Sequence, residues 1–387
     1  MRELRDRTMM TLGDLVGFPT ITEASNLDLI DYANIMLEPL ASDIRITHDE
    51  NATKANLFAT IGPNVDGGVI LSGHTDVVPA EDFDWTGPPF LATRRKQKIY
   101  GRGTADMKGF IACALVMATE FAAAPLQRPV HIALTFDEEI GCRGAPILIS
   151  DLERNGPKPA TAIVGEPTSM EIVTSHKGCY EYTTYINGIE GHGSAPDRAV
   201  SAVEYGAIYI NRLLELGEEL KARAPDSSPY DPPHTTVNVG MMTGGTARNV
   251  IAGECIIEWE MRPVRKEDAE HVVREMTALE SEITQRMQAV SPDASIATVT
   301  EGAVDGLQDL PNDPAFDLVS EICGSSTRQV AAFGTEAGLY QLAGIPAVVC
   351  GPGSIDVAHR PDENISLEQL ERCLEMMKGL IGKLSET

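Results

Sequence analysis

The stretch GVILSGHTDVVP, residues 68–79, decides the fold class. Val69, Ile70 and Leu71 form a short apolar run between Gly68 and Gly73, the size of a buried strand and too short for a helix. The run stops at His74-Thr75-Asp76. An imidazole and a carboxylate at a strand end are what an α/β sheet presents at a site. His74 and Asp76 are two apart, so on an extended chain both side chains point the same way. That spacing suits a metal ligand and the carboxylate that orients it. A polar surface turn has the same local pattern, so the rest of the chain must decide.

Four more stretches repeat the arrangement. Asp137-Glu138-Glu139 follows the apolar run 130–136, VHIALTF, and Glu166 follows 161–165, TAIVG. Asp106 lies in GRGTADMKG (101–109) at the start of a helical pattern, and His359 lies in GPGSIDVAHRPDE. Three adjacent carboxylates repel one another unless cations neutralise them. Neighbours on an extended chain diverge, so one can bind metal while the next moves a proton. Asp106 taken alone is equally a helix cap. The glycines around it do not follow a strand in the order that dinucleotide binding requires. Taken together, two imidazoles and several carboxylates at strand ends make a ligand set for hydrolytic divalent metal. No G-x-S-x-G elbow or paired Cys–His offers a covalent nucleophile.

The wider chain fits an enzyme of this kind. It has 387 residues, 43% of them hydrophobic, enough for two domains. The formal net charge of -26 argues against nucleic acid and anionic membrane surfaces as partners. Seven cysteines without a C-x-x-C pair predict buried, reduced thiols. The charged N-terminus and the lack of an apolar run of ~18 residues predict a cytoplasmic protein.

Strand-like runs at 56–62, 68–73, 130–136 and 161–165 alternate with helical patterns, including one long helix over 104–124. This predicts an α/β fold with a sheet flanked by helices. Past residue 171 the pattern changes. A long strand over 172–187, a helix over 199–220, two strands and a charged helix over 266–290 read as a small α+β sandwich. The expected organisation is a catalytic domain of residues 1–173 and 294–387, with a domain of 174–293 inserted.

SGHTDVVP (72–79), GRGTADMKG (101–109), TFDEEIGCRGA (135–145), VGEPT (164–168) and AHRPDE (358–363) together resemble the dinuclear zinc deacylases and exopeptidases related to aminoacylase. The resemblance covers essentially the whole chain. The stretches GFPTITEASNLDLIDY, HKG (176–178), GGTARNVIAGEC (244–255) and CGPGSIDVAHRPDE (350–363) resemble most its deacetylase branch. The resemblance implies a zinc-exopeptidase-like catalytic domain with an inserted lid and dimerisation domain, and a homodimer.

It also implies two divalent metal ions, zinc or cobalt, held by His74, Asp106, Glu139, Glu166 and His359, with Asp106 bridging. Glu138 is implied as general base toward a water shared by the metals, and Asp76 as the residue orienting His74. From the inserted domain, His192 is implied to reach a neighbouring subunit's site. Asn249 and Arg262 are implied to grip a substrate carboxylate, and Thr335 and Gly353 to line the pocket. The resemblance implies a small N-acyl amino acid as the substrate class. Acetyl and succinyl compounds both stay open, as does a non-catalytic relative that only binds such a ligand. The motif EGHGSAP (190–196) departs from the family's usual residues on either side of its histidine, and NVIAGE and WEMRP depart mildly from its usual forms.

Overall fold

The computed structural model describes residues 1–387 apart from 81–83, 332 and 387. The chain divides into two compact units. One holds Met1–Ser175, Leu307–Ala331 and the chain from Thr335 onward; the other is built on His176–Gly306.

The first unit opens with α1 (Arg2–Val16), α2 (Leu27–Leu37), β1 (Asp43–His48), β2 (Ala55–Ile61) and β3 (Val69–His74). Then come β4 (Thr93–Arg95), β5 (Lys98–Tyr100), α3 (Lys108–Ala123), β6 (Val130–Thr135), α4 (Gly144–Asn155), β7 (Thr161–Val164) and β8 (Val173–His176). The inserted unit follows with β9 (Cys179–Asn187), β10 (Gly191–His192), α5 (Ala202–Lys221), β11 (Thr236–Gly244), β12 (Val250–Ile251), β13 (Glu254–Arg262), α6 (Lys266–Gln288) and β14 (Ser295–Val304). The first unit resumes with α7 (Pro314–Cys323), β15 (Gln329–Ala331), α8 (Ala337–Leu342), β16 (Ala347–Val349), β17 (Asn364–Ser366) and α9 (Leu367–Ser385).

The large sheet of the first unit runs β1-β2-β6-β3-β7-β16-β8-β15. Its central block, β6-β3-β7-β16, is parallel, while β1, β2 and β8 pair antiparallel. β2, β3, β6, β7 and β16 are buried along their whole length, as strands covered on both faces must be. Register aligns the carboxyl ends of the parallel block: His74 pairs with Thr135, Ser72 with Val164, and Val349 with Val164. The segments carrying His74, Asp137–Glu139, Glu166 and His359 therefore all follow the carboxyl ends of this parallel block.

The helices are set by local signals. Ser366 caps α9 by accepting the Gln369 N–H, and Leu367, Leu370, Leu374, Met377, Leu380 and Leu384 form its buried stripe. Asp313 caps α7, Pro314 opens it, and Gly324, at φ 64°, closes it in the left-handed conformation. These stripes join α1, α2, α3 and the sheet in one apolar core.

The inserted unit is a four-stranded antiparallel sheet, β11-β13-β9-β14, with its own core drawn from α5, α6 and the sheet. Three sequence expectations are corrected. The unit ends near Gly306, not 293, because β14 pairs with β9 and completes the sheet as its fourth strand. The strand expected over 172–187 is two strands, broken at Lys177-Gly178. The helix expected from residue 104 begins at Lys108, because residues 101–107 form a turn.

All seven cysteines are free, and five are buried as expected; Cys179 is half-buried and Cys323 is exposed. Among the described residues, no helix is long and apolar enough to cross a membrane.

Candidate metal centre

Glycine sets the approach to the site at β7. A side chain at Gly165 would stand 2.0 Å from the Phe110 ring, so only glycine lets the turn to Glu166 pack on α3. The other side chains arrive from β3, from the turn before α3, from the segment after β6 and from the segment after β16.

Asp106 is the centre of the cluster. Its Oδ1 lies 3.0 Å from His74 Nε2 and its Oδ2 lies 3.2 Å from His359 Nε2. Glu166 Oε1 stands 3.6 Å from His74 Nε2, and Glu139 Oε2 3.0 Å from His359 Nε2. One carboxylate thus faces two imidazoles, each accompanied by a second carboxylate. Ligand atoms of His74, Asp106 and Glu139 lie within 4.8 Å of one another, and so do those of His74, Glu138 and Glu166. Geometry alone leaves Glu138 and Glu139 both within ligand reach.

The neighbours orient these groups. His74 Nδ1 lies 3.0 Å from the Asp76 carbonyl oxygen, a contact that fits Nδ1–H donation and leaves Nε2 as a lone pair aimed at Asp106. The Asp76 carboxylate is 3.5 Å from the same nitrogen but accepts the N–H groups of Glu138 at 3.1 Å and Glu139 at 3.2 Å. Asp76 therefore fixes the acidic turn as well as contacting His74. Asp137 does not join the cluster: it pairs with Lys54 at 2.5 Å, both side chains buried.

The electrostatics show a shortage of positive charge. Burial, reinforced by Asp106, drives Glu166 and Glu139 above the usual carboxyl range. Burial also raises Glu138, with Glu139 and Asp106 adding to the effect. Burial disfavours a charged His74, but Glu166, Asp106, Asp76 and Glu138 outweigh it and raise its pKa strongly. Asp106 and Glu139 push His359 up to about 10. Asp106 is held low because His359 and His74 outweigh its burial.

Among the described residues, the ion pairs of Asp106, Glu139 and Glu166 are all with these two histidines. The buried Glu166 Oε1 has no hydrogen-bond donor. Lone-pair nitrogens facing carboxylate oxygens, an orphaned buried oxygen and groups straining to take up protons all fit bound divalent cations. The mixed imidazole–carboxylate donors suit divalent metal ions.

The remaining expected residues fall in three places. Gly353, at φ 97°, packs so that a side chain would meet Ala105 Cβ at 3.1 Å, which puts it against the Asp106 turn. Thr335 is buried, and its hydroxyl accepts the Ala337 N–H. In the inserted unit, the exposed His192 contacts Ser194 Oγ at 2.8 Å, and the adjacent Gly193 N–H bonds the Asn249 carbonyl. Arg262 there donates to Glu260, at 2.6 Å through Nη2.

Lys54 and Glu363 carry no site role in the sequence reading. The acidic run pointed to a cation near Asp137, and AHRPDE contains Glu363, but neither pattern names a partner.

A family model described as peptidase family M20/M25/M40 matches residues 70–383. Acetylornithine deacetylase of Shigella sonnei is 32% identical over 374 residues, covering 95% of both chains. The acetylornithine deacetylase of Proteus mirabilis is 34% identical over 95% of this chain and 94% of its own. Among solved structures, an M20 family metallo-carboxypeptidase from Sulfolobus solfataricus shares the fold with TM-score 0.72 at 18% identity, covering 98% of this chain and 99% of that one. A dinuclear metal binding peptidase of the M20 family from Bacillus subtilis does so with TM-score 0.65 at 18% identity, covering 100% and 99%. The strand-end cluster of imidazoles and carboxylates thus sits in a chain that belongs to peptidase family M20/M25/M40, as a metal-dependent hydrolase.

Proposed function

We propose that this enzyme hydrolyses N-acetyl-L-ornithine to L-ornithine and acetate, in arginine biosynthesis. The observation that carries the chemistry is the sharing of Asp106 between His74 and His359. A carboxylate that offers one oxygen to each of two imidazole sites suits a bridge between two metals. The substrate rests on the acetylornithine deacetylases aligned along 95% of the chain.

His74, Asp106, Glu139, Glu166 and His359 would hold two divalent ions, zinc or cobalt. Bound there, such ions supply Lewis acidity toward the acyl carbonyl and acidify water near neutral pH. Glu138 takes the proton as the water oxygen bonds to the acyl carbon, and returns it to the nitrogen as the C–N bond breaks. Asp76 aids this by fixing the backbone of Glu138 and Glu139.

The inserted unit acts as lid and dimerisation domain. β11 is an edge strand of its sheet with Met241 and Met242 exposed, a surface suited to pairing with a second copy. His192 of a second subunit then donates to the developing oxyanion. Arg262 offers a planar fork for the substrate α-carboxylate, with Glu260 its resting partner. Asn249 is proposed to grip the same carboxylate, and Thr335 and Gly353 to line the pocket floor.

The test is a substrate panel on zinc- and cobalt-loaded enzyme, comparing kcat/KM for N-acetyl-L-ornithine, N-succinyl-diaminopimelate and N-acetyl-methionine. Preference for acetylornithine supports the reading. A preference for the succinyl compound makes the protein a desuccinylase, and equal rates make it a broad N-acyl-amino-acid amidohydrolase. Metal uptake without hydrolysis of any of them would leave a ligand-binding relative.

A further inference from the structure

Glu363 is among the most buried carboxylates of the chain, at 1% exposure, and lies four residues beyond His359. Its Oε1 accepts the N–H groups of Ala105 at 2.8 Å and Asp106 at 3.1 Å. Its Oε2 accepts the Gly103 N–H at 2.9 Å and Arg102 Nη1 at 2.8 Å. The Glu363 carbonyl takes a further N–H, from Gly101, at 3.0 Å. An ionised carboxylate has about four lone-pair directions, and here four donors use them. Arg102 neutralises the charge, and no lone pair is left over for a metal.

These bonds all run to one segment, the turn 101–106 that delivers Asp106. The turn lies outside helix and strand, so a ladder does not hold it. The segment that supplies His359 is thereby tied to the segment that supplies the carboxylate between His359 and His74. An error in either would separate Asp106 Oδ2 from His359 Nε2, 3.2 Å apart.

We propose that Glu363 is a positioning residue of the metal centre. It locks the Asp106 turn to the His359 segment, so that both oxygens of Asp106 are aimed correctly and both metal positions gain affinity. The inference rests on the ligand set proposed above. Glutamine is the informative replacement. Its NH2 would face two buried N–H donors where an oxygen now accepts, leaving them unsatisfied at nearly constant volume.

The experiment strips the full-length protein with a chelator and titrates it with Zn2+ and Co2+ by calorimetry, recording the cobalt absorption spectrum. The wild type is compared with Asp106→Ala, Glu363→Gln, Glu363→Asp and Leu374→Ala. Leu374 is buried in the α9 stripe, so its truncation lowers stability through core packing. Glu363→Gln should stay folded by circular dichroism, bind metal about 10–100-fold more weakly and alter the cobalt spectrum. Glu363→Asp keeps the charge but is one methylene short, and should fall between. If the glutamine variant does not fold, the aspartate variant carries the test on the same readouts. Leu374→Ala should keep wild-type affinity.

Wild-type affinity and spectrum in Glu363→Gln would overturn the proposal, as would an equal loss in Leu374→Ala. A wild-type protein that takes up no metal, or an Asp106→Ala protein that binds it normally, would instead overturn the ligand assignment.

Discussion

Lys54 Nζ stands 2.5 Å from Asp137 Oδ1, both side chains only 8% exposed, at the root of the turn that carries Glu138 and Glu139. Asp137 holds φ 53°, a left-handed backbone that a non-glycine residue adopts only when its surroundings impose it. The ion pair removes one negative charge from a run of three, and leaves the other two for the centre.

Breaking that pair from one side strands a buried charge. Lys54→Met should destabilise the protein by about 3–5 kcal/mol in urea unfolding. Lys54→Met combined with Asp137→Asn should cost clearly less than the single change. Equal losses in the two variants would show that the charge pairing is not what holds the turn.

Glu138 and Glu139 are adjacent but should not be interchangeable. Glu138→Gln is expected to bind two metal equivalents and lose about 10²–10⁴-fold in kcat. Glu139→Gln should lose metal as well as turnover. Metal analysis after gel filtration, alongside kcat, separates the two roles. Normal turnover in Glu138→Gln would remove it as the base.

Metal should act as a stabilising ligand, because the carboxylates around Asp106 are short of positive charge. Free Zn2+ at a hundredfold excess over its Kd should add about 2.7 kcal/mol to unfolding stability for each site it fills. Thermal melts with rising metal, and their reversal by chelator, check this. A Tm independent of metal concentration would speak against a site at this cluster.

His131 makes stability depend on pH for a different reason. It is fully buried on β6, stacked on Phe58, with Nδ1 3.1 Å from Thr60 Oγ1 and Nε2 3.3 Å from the Gly67 carbonyl. Burial lowers its pKa from 6.5 to about 4. Its folded pKa lies below its unfolded one, so between them the unfolded chain binds the proton and the folded chain does not. The neutral ring's contribution is therefore complete above pH 6.5 and shrinks as pH falls toward 4. In chelator-treated protein, the loss of stability from pH 7.5 to pH 4.5 should be about 2 kcal/mol smaller in His131→Gln than in the wild type. Parallel losses in the two proteins would remove His131 as a source of acid sensitivity.

The parts of this site that were legible in the sequence are those written in local pattern. VILSG, VHIALTF and TAIVG are apolar runs of strand length, and the candidate site residues His74, Glu138, Glu139 and Glu166 follow them within a few positions, so they stand out with the sheet. Long-range pairing was not legible. Local pattern leaves β14 with the catalytic domain, because its alternation matches any half-buried strand. Only its register against β9, from Ser295 opposite Asn187 to Val304 opposite Cys179, places it. TADM reads as a first helical turn, yet α3 starts four residues later, because the Glu363 carboxylate claims the N–H groups of Ala105 and Asp106.

Local sequence sets the chemistry available: imidazoles and carboxylates at the carboxyl ends of buried strands, in a strongly acidic chain. It does so because strand burial and turn composition are properties of neighbouring residues. Tertiary structure decided which carboxylate is shared, which is neutralised and which only holds others in place. Asp106, Asp137 and Glu363 are all acidic residues beside apolar segments. They differ in what stands opposite: two imidazoles for Asp106, a lysine 83 positions away for Asp137, and backbone amides as far as 260 positions away for Glu363. Charge at a few ångströms in a buried site is set by the partner in space, and chain distance carries no record of it.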